Sequence, residues 1–209
     1  ADGVGDWIDD VPASDLPQST NPPEGFVATS NQSPWSRSEP FLSHEFSVPS
    51  RAERLAELLD GDQVWKPEDI VNLQGDVTSV PARRWAEYVG ALPHLSGAAE
   101  QARQLLSGWD GELSSTGLHG LLYTCLRDTL IEQIYRPVLG DETWDWIQLP
   151  VNASAKGIVS RWFYGLGQTV GNINESQTPD GRAMKDVLVS SLEIAWETAV
   201  RIGGPDSKR

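Results

Sequence analysis

A long apolar segment, residues 117–139, constrains the fold of this 209-residue chain more than any other feature. Its apolar side chains recur at helical spacing: Leu118, Leu121, Leu122, Cys125, Leu126, Leu130, Ile131 and Ile134. A helix this apolar is typical of the centre of a core. Further segments with helical periodicity or start signals are residues 51–59, a helix from Lys66-Pro67, 83–92, 98–109, 158–166 and 182–202. The sequence therefore predicts a mostly helical body from residue 50 onward.

The first 50 residues differ in composition, being rich in Pro, Ser, Gly and Asp. Two short patches, residues 5–8 and 25–30, have the aromatic and β-branched residues of strands. Residues 35–49 are expected to form an irregular loop. Two strands alone are marginally stable in water, so we expect this chain to be a piece of a larger protein.

Charge and composition exclude several classes of partner. The formal net charge is −14, which argues against a nucleic-acid backbone or an anionic membrane surface as partner. No apolar run reaches the roughly 18 residues of a transmembrane span. The single Cys125 excludes an internal disulfide and a thiolate metal cluster.

Four short motifs occur in order between residues 2 and 111. They read DGVGDW at residues 2–7, NPPEGFVATSNQSP at 21–34, PEDIVNLQGD at 67–76 and LSGWDG at 106–111. Each is weak alone, but their order and spacing resemble the penicillin amidase family of N-terminal nucleophile hydrolases. Beyond residue 139 the chain is only generally compatible with the helical region of that family.

The resemblance implies a fold and a chain organisation. The full protein would have the α/β fold of these enzymes, a four-layer αββα core, and this chain would be mostly α-helical with a few N-terminal β-strands. Residues 1–49 would belong to the catalytic core and carry an active-site loop, and residues 50–209 would form a helical subdomain of the β chain. The expected partners are the rest of the β chain and an α chain cut from the same precursor, with no nucleic acid and no membrane.

The resemblance also implies an activity. Family members hydrolyse a linear amide, such as a penicillin, a cephalosporin, an acyl-homoserine lactone or a lipopeptide. The nucleophile is the N-terminal Ser of the β chain, and its own α-amino group is the general base. Residue 1 here is Ala1, so the chain is expected to be an internal fragment of the β chain that is inactive alone. The alternative is a catalytically inactive acyl-binding or structural module derived from the family.

Two residues are candidates for catalytic roles by the same resemblance. Asn31 matches the family asparagine whose side-chain amide donates to the oxyanion; without the family, an asparagine here would be interpreted as ending a strand or turn. Gln32 departs from the second asparagine found in many members. Arg51 matches an arginine that opens a helix and orders the site near that asparagine, with Arg54 as the competing position.

Substrate and metal residues are less well determined by the sequence. Trp35 and Phe41 lie in the loop after Asn31 and could line an acyl pocket or pin the loop to the scaffold. We assign no metal ligand in this chain and expect no cofactor in it, while the resemblance leaves open a Ca²⁺ ion in the full protein. The acidic residues of segment 141–145 lack calcium-loop spacing and are expected to form a solvated turn. Family members are usually exported, which implies a periplasmic or secreted protein.

Overall fold

The computed structural model describes residues 10–34, 41–43, 46–61, 63–148 and 176–204. These residues form one 3₁₀ turn, Ala13–Asp15, and seven α-helices. The helices are α1 Ser50–Leu59, α2 Pro67–Gln74, α3 Val80–Gly90, α4 Gly97–Leu106, α5 Leu118–Leu139, α6 Asp141–Gln148 and α7 Met184–Gly203. The predicted helices are confirmed wherever the structure describes them, with ends that differ by at most three residues. The helix expected at residues 158–166 lies outside the described residues.

The chain divides into two compact units, Ala1–Leu73 and Gln74–Arg209. This division assigns α1 and nearly all of α2 to the first unit. The boundary expected between residues 49 and 50 separates a catalytic core from a helical subdomain. It is defined by function and not by compactness, and it stays a prediction.

The second unit contains a hydrophobic core with α5 at its centre. Helix α5 packs against α4, α6 and α7, and α7 also packs against α4. The α5 side chains that are almost fully buried are Leu122, Leu126, Leu130 and Ile134. Burying one such side chain contributes about 1.5–3 kcal/mol of hydrophobic stabilisation, so these α5 side chains contribute substantially to the stability of the second unit. No helix among the described residues is long and apolar enough to cross a membrane.

Two of the sequence motifs meet at the start of α3. The Ser79 N–H donates to the Gly111 carbonyl at 2.9 Å, while the Ser79 hydroxyl caps α3 by accepting from the Ala82 N–H at 3.3 Å. Gly111 has φ +84°, and a Cβ at this position would lie 2.7 Å from the Ser79 carbonyl oxygen. Asp76 accepts from the Thr78 N–H at 3.0 Å. Asp76 and Gly111, the last residues of the PEDIVNLQGD and LSGWDG motifs, therefore both belong to the structure that starts α3.

The expected strand at residues 25–30 is wrong for this structure. Residues 26–29 are irregular, and Val27 is 72% exposed. A strand needs a neighbour for its backbone groups, but here the Gln32 side chain bonds both the Ala28 carbonyl and the Ser30 N–H. The only β-pairing among the described residues consists of two isolated bridges, Thr78 with Glu112 and Gln177 with Ala183. The strand expected at residues 5–8 lies outside the described residues.

The acidic turn expected at residues 141–145 is also wrong, because this segment begins α6. Asp141 and Glu142 lie in the first turn, where carboxylates interact favourably with the positive end of a helix. Trp144 and Ile147, three residues apart, are buried on one face. This spacing was the signal in the sequence, but the helix has only eight residues and carries three acids.

Candidate active site

Asn31 lies in the first unit, in the turn that follows residues 26–30. Its φ is +64°, a left-handed conformation that asparagine tolerates better than most residues. Its carbonyl oxygen accepts from the Ser47 N–H at 2.7 Å, so the turn is tied to the chain just before α1. None of the residues described between positions 10 and 73 is fully buried. Hydrogen bonds therefore fix the geometry that the structure describes around Asn31.

Arg51, the second residue of α1, contacts Asn31 directly. Its Nη2 donates to the Ser30 carbonyl at 2.7 Å and to Asn31 Oδ1 at 2.9 Å. A guanidinium can only donate, so the oxygen of the Asn31 amide must face Arg51. The amide nitrogen, Nδ2, then lies on the opposite edge of the amide plane. Among the residues the structure describes, no group accepts a hydrogen bond from Nδ2.

The position of Arg51 is not explained by the helix itself. A cation in the first turn of a helix lies at the unfavourable end of the helix dipole, so the contacts with Ser30 and Asn31 compensate for its placement. Arg54, the competing candidate, donates from Nη1 to Glu57 Oε2 on the same helix at 3.0 Å. The structure therefore brings Arg51 together with Asn31, across 20 residues of sequence.

Gln32 is the neighbouring residue whose role the sequence did not indicate. Its Oε1 accepts from the Ser30 N–H at 2.6 Å, and its Nε2 donates to the Ala28 carbonyl at 3.3 Å. Side chains that bond the preceding main chain in this way compete with regular secondary structure. In the sequence, only the difference from the asparagine of many family members drew attention to this position.

The predicted substrate-side residues are not assembled into a pocket by the described residues. Phe41 is 57% exposed, and Trp35 lies outside the described residues. Whether they line an acyl pocket or hold the loop therefore stays a prediction. A groove of about 620 Å³ lies elsewhere, in the second unit. It is lined by Thr129, Glu132, Gln133, Arg136, Pro137, Gly140, Asp141, Arg182 and Ile194.

Arg136 and Cys125 are a charged and a nucleophilic side chain of the second unit that the sequence did not assign to a site. Arg136 in the groove donates to Asp141 at 2.7 Å and to Glu132 at 2.6 Å, and these two bonds raise the pKa of its guanidinium. Burial raises the pKa of the Cys125 thiol, which keeps it protonated and weakly nucleophilic at neutral pH. No cluster of three or more His, Cys, Asp or Glu side chains suited to a metal occurs in the described parts of the chain.

Glu100 at the start of α4 is the most strongly perturbed carboxylate described. It accepts from Arg103 Nε at 2.8 Å and from the Leu95 N–H at 2.9 Å. The bond from Arg103, followed by that from Leu95, lowers the pKa of Glu100 well below its usual range. Arg103 also donates to the Gly90 carbonyl at 3.1 Å, so this pair connects the ends of α3 and α4.

Comparison with known proteins gives a single family. A model of the penicillin amidase family matches residues 1–209. An acyl-homoserine lactone acylase QuiP from Pseudomonas syringae pv. syringae is 28% identical over 223 residues, covering 99% of this chain and 27% of the relative. A QuiP acylase from Pseudomonas fluorescens is 26% identical over the same length and coverage. A penicillin acylase 2 proenzyme from a Pseudomonas species is 28% identical over 135 residues, covering 61% of this chain and 17% of the relative. The chain thus spans about a quarter of the length of the QuiP relatives.

Proposed function

The chain belongs to the penicillin amidase family, and from this premise we propose that it supplies the oxyanion-hole donor of an enzyme that hydrolyses a linear amide. The relatives named acyl-homoserine lactone acylase and penicillin acylase support an acylated amide as the substrate class. In this proposal the nucleophile is an N-terminal Ser outside the chain, and its α-amino group is the general base. The relative named a proenzyme supports a precursor that is cut into an α and a β chain.

The observation that carries the proposal is the hydrogen bond from Arg51 to Asn31 Oδ1. When a serine oxygen attacks the amide carbon, the carbonyl oxygen becomes negatively charged. An amide N–H held in advance at that position stabilises the charge without having to reorient during the reaction. Because Arg51 occupies the oxygen side of the Asn31 amide, only the N–H side is presented to a substrate. We assign Asn31 as the donor and Arg51 as the residue that positions it.

The remaining steps of the proposal are those that an N-terminal serine with its own α-amino group can perform. Collapse of the tetrahedral intermediate breaks the carbon–nitrogen bond, and the leaving amine takes the proton that the α-amino group received from the serine. The α-amino group then activates a water molecule, which hydrolyses the acyl ester and regenerates the serine. Asn31 donates to the oxyanion in both the acylation and the hydrolysis steps. No cofactor enters this proposal.

The test is Asn31→Asp in the complete enzyme, with cleavage of an acyl-homoserine lactone and of a penicillin measured. Aspartate also tolerates the left-handed conformation and can still accept from Arg51, but it has no N–H to donate. We expect kcat/KM to fall about 10²–10³-fold while thermal stability changes little. Asn21→Asp is the matched control, since Asn21 is another left-handed asparagine of the same unit, with φ +47°.

Near-normal turnover by Asn31→Asp would show that Asn31 is not the donor. If the complete unmodified protein binds acylated amides without cleaving any of them, the inactive acyl-binding module is the correct alternative. If it neither binds nor cleaves them, a structural role remains.

A further inference from the structure

The peptide groups on both sides of Asn31 are anchored. The Ser30 carbonyl, which belongs to the peptide before Asn31, accepts from Arg51 at 2.7 Å. The Asn31 carbonyl, which belongs to the peptide after it, accepts from the Ser47 N–H at 2.7 Å. These two bonds come from residues 47 and 51, close to one another at the start of α1. Both bonds therefore connect Asn31 to a single segment of the chain, residues 47–51.

Gln32 supplies the third constraint, from within the turn itself. The bond from the Ser30 N–H to Gln32 Oε1 closes a ring that contains both backbone dihedrals of Asn31. The second bond, from Gln32 Nε2 to the Ala28 carbonyl, fixes which end of the Gln32 amide faces which partner. Gln32 is half-buried, whereas Asn31 is exposed.

The ring is important because Asn31 has a left-handed backbone conformation, which is unfavourable for most residues other than glycine. Asparagine tolerates the left-handed conformation better than most residues, chiefly where local hydrogen bonds support it. An exposed asparagine without support would relax to other conformations, and its Cα–Cβ bond would then point elsewhere. A shift of about 1 Å in a catalytic group is sufficient to lower a rate by about two orders of magnitude.

We propose that Gln32 is a positioning residue, whose side-chain amide holds Asn31 in the left-handed conformation that presents Nδ2 to the substrate. This inference rests on the proposed oxyanion role of Asn31. It assigns a function to the position at which the chain departs from the asparagine of many family members. Glutamine has one more methylene group than asparagine, and this longer side chain extends from residue 32 to the Ala28 carbonyl, four residues earlier.

The test is Gln32→Leu in the complete processed enzyme, with rates normalised to the number of active sites titrated by acylation. Leucine is similar in size but makes neither hydrogen bond. We expect kcat per site to fall about tenfold to a hundredfold while KM stays within about twofold. Gln18→Leu is the matched control, because Gln18 is an exposed glutamine of the same unit that bonds the Ala13 carbonyl. We expect it to leave kcat unchanged.

A double variant separates positioning from a general structural role. Since Gln32 acts through Asn31, adding Gln32→Leu to Asn31→Asp should cause no further loss of kcat. If the two losses multiply, or if Gln32→Leu keeps normal kcat per site, the inference is overturned. If the Gln32→Leu precursor does not mature, Gln32→Ala carries the same expectation, because alanine also makes neither the bond to Ser30 nor the bond to Ala28.

These outcomes also separate the two proposals. An Asn31→Asp enzyme with normal turnover refutes the oxyanion role and this inference together. An Asn31→Asp enzyme that is impaired, beside an unaffected Gln32→Leu enzyme, refutes only the inference about Gln32.

Discussion

Replacing Arg51 with alanine in the complete enzyme removes the donor to Ser30 and Asn31 and leaves the backbone of α1 in place. Both acceptors are exposed enough for water to replace the guanidinium. We therefore expect the stability of the fold to change by less than about 1 kcal/mol. The loss should appear in turnover instead, because water does not fix the orientation of the Asn31 amide.

The size of the loss can be worked out from the freedom that Asn31 regains. Its χ1 has three staggered wells and its amide has two opposite orientations, which gives roughly six arrangements, of which one is productive. If they are equally populated, kcat falls roughly sixfold, which corresponds to about 1 kcal/mol in activation free energy. This is far less than the 10²–10³-fold loss expected when the donor itself is removed.

The assay is steady-state hydrolysis, normalised to titrated sites, for Arg51→Ala, Arg54→Ala and Asn31→Asp. Arg54 is the matched control, since it lies on the same helix and donates to Glu57. A kcat for Arg51→Ala equal to that of Arg54→Ala would show that Asn31 needs no support from Arg51. A loss as large as that of Asn31→Asp would show that Arg51 itself stabilises the transition state.

Three further predictions concern the second unit and are tested by urea titration with tryptophan fluorescence. Gly108→Ala and Gly111→Ala share positive φ values of +77° and +84°, but only the second Cβ meets backbone atoms, at 2.7 and 2.9 Å. We expect about 1 kcal/mol of destabilisation for Gly108→Ala and at least twice that for Gly111→Ala. Arg182→Leu should lower the free energy of unfolding by about 1 kcal/mol, because Arg182 donates to the Gln133 carbonyl of α5, which Pro137 cannot bond for lack of an N–H. Pro137→Ala restores that N–H and should make the effect of Arg182→Leu smaller. The pKa of Glu100 is lowered in the folded state, so its contribution to the free energy of unfolding should be complete above the ordinary glutamate pKa and be lost as the pH falls below it. Glu100→Gln should therefore make the free energy of unfolding less dependent on pH in the acid range.

Each of these expectations has a clear contradiction. Equal effects of the two glycine variants would show that the backbone contact at Gly111 relaxes at no cost. An Arg182→Leu effect that is unchanged by Pro137→Ala would show that the missing helix donor is irrelevant. A Glu100→Gln protein with an unchanged acid dependence would show that other carboxylates control it.

The helical part of the fold could be predicted because its signals are local. Apolar periodicity identified α5 as the central helix, and its side chains are those that the structure buries. The strand at residues 25–30 could not be judged locally, since a strand depends on a partner and the Gln32 side chain takes that place. Helix α6 was missed because eight residues with three acids give a weak periodic signal.

The candidate site was predictable only in part. Asn31 and Arg51 were selected by family resemblance, and no spacing rule connects residues 20 positions apart. Their contact depends on a left-handed turn and on the position of α1, which are tertiary features. The bonds of Gln32 involve a flexible side chain and its own preceding backbone, a geometry that leaves no periodic pattern in the sequence.

The most direct measurement is the location of the acyl group during turnover by the complete, unmodified enzyme. An acyl-homoserine lactone or a penicillin, whichever is cleaved, is mixed with the enzyme, and the reaction is stopped with acid before it ends. Intact mass and peptide mapping then identify the modified residue. We predict a single acyl group on an N-terminal Ser outside residues 1–209, with none on any peptide of this chain. An acyl group on a serine within this chain, or turnover by an enzyme whose chains lack an N-terminal nucleophile, would contradict the proposal that these residues supply the oxyanion donor and not the nucleophile.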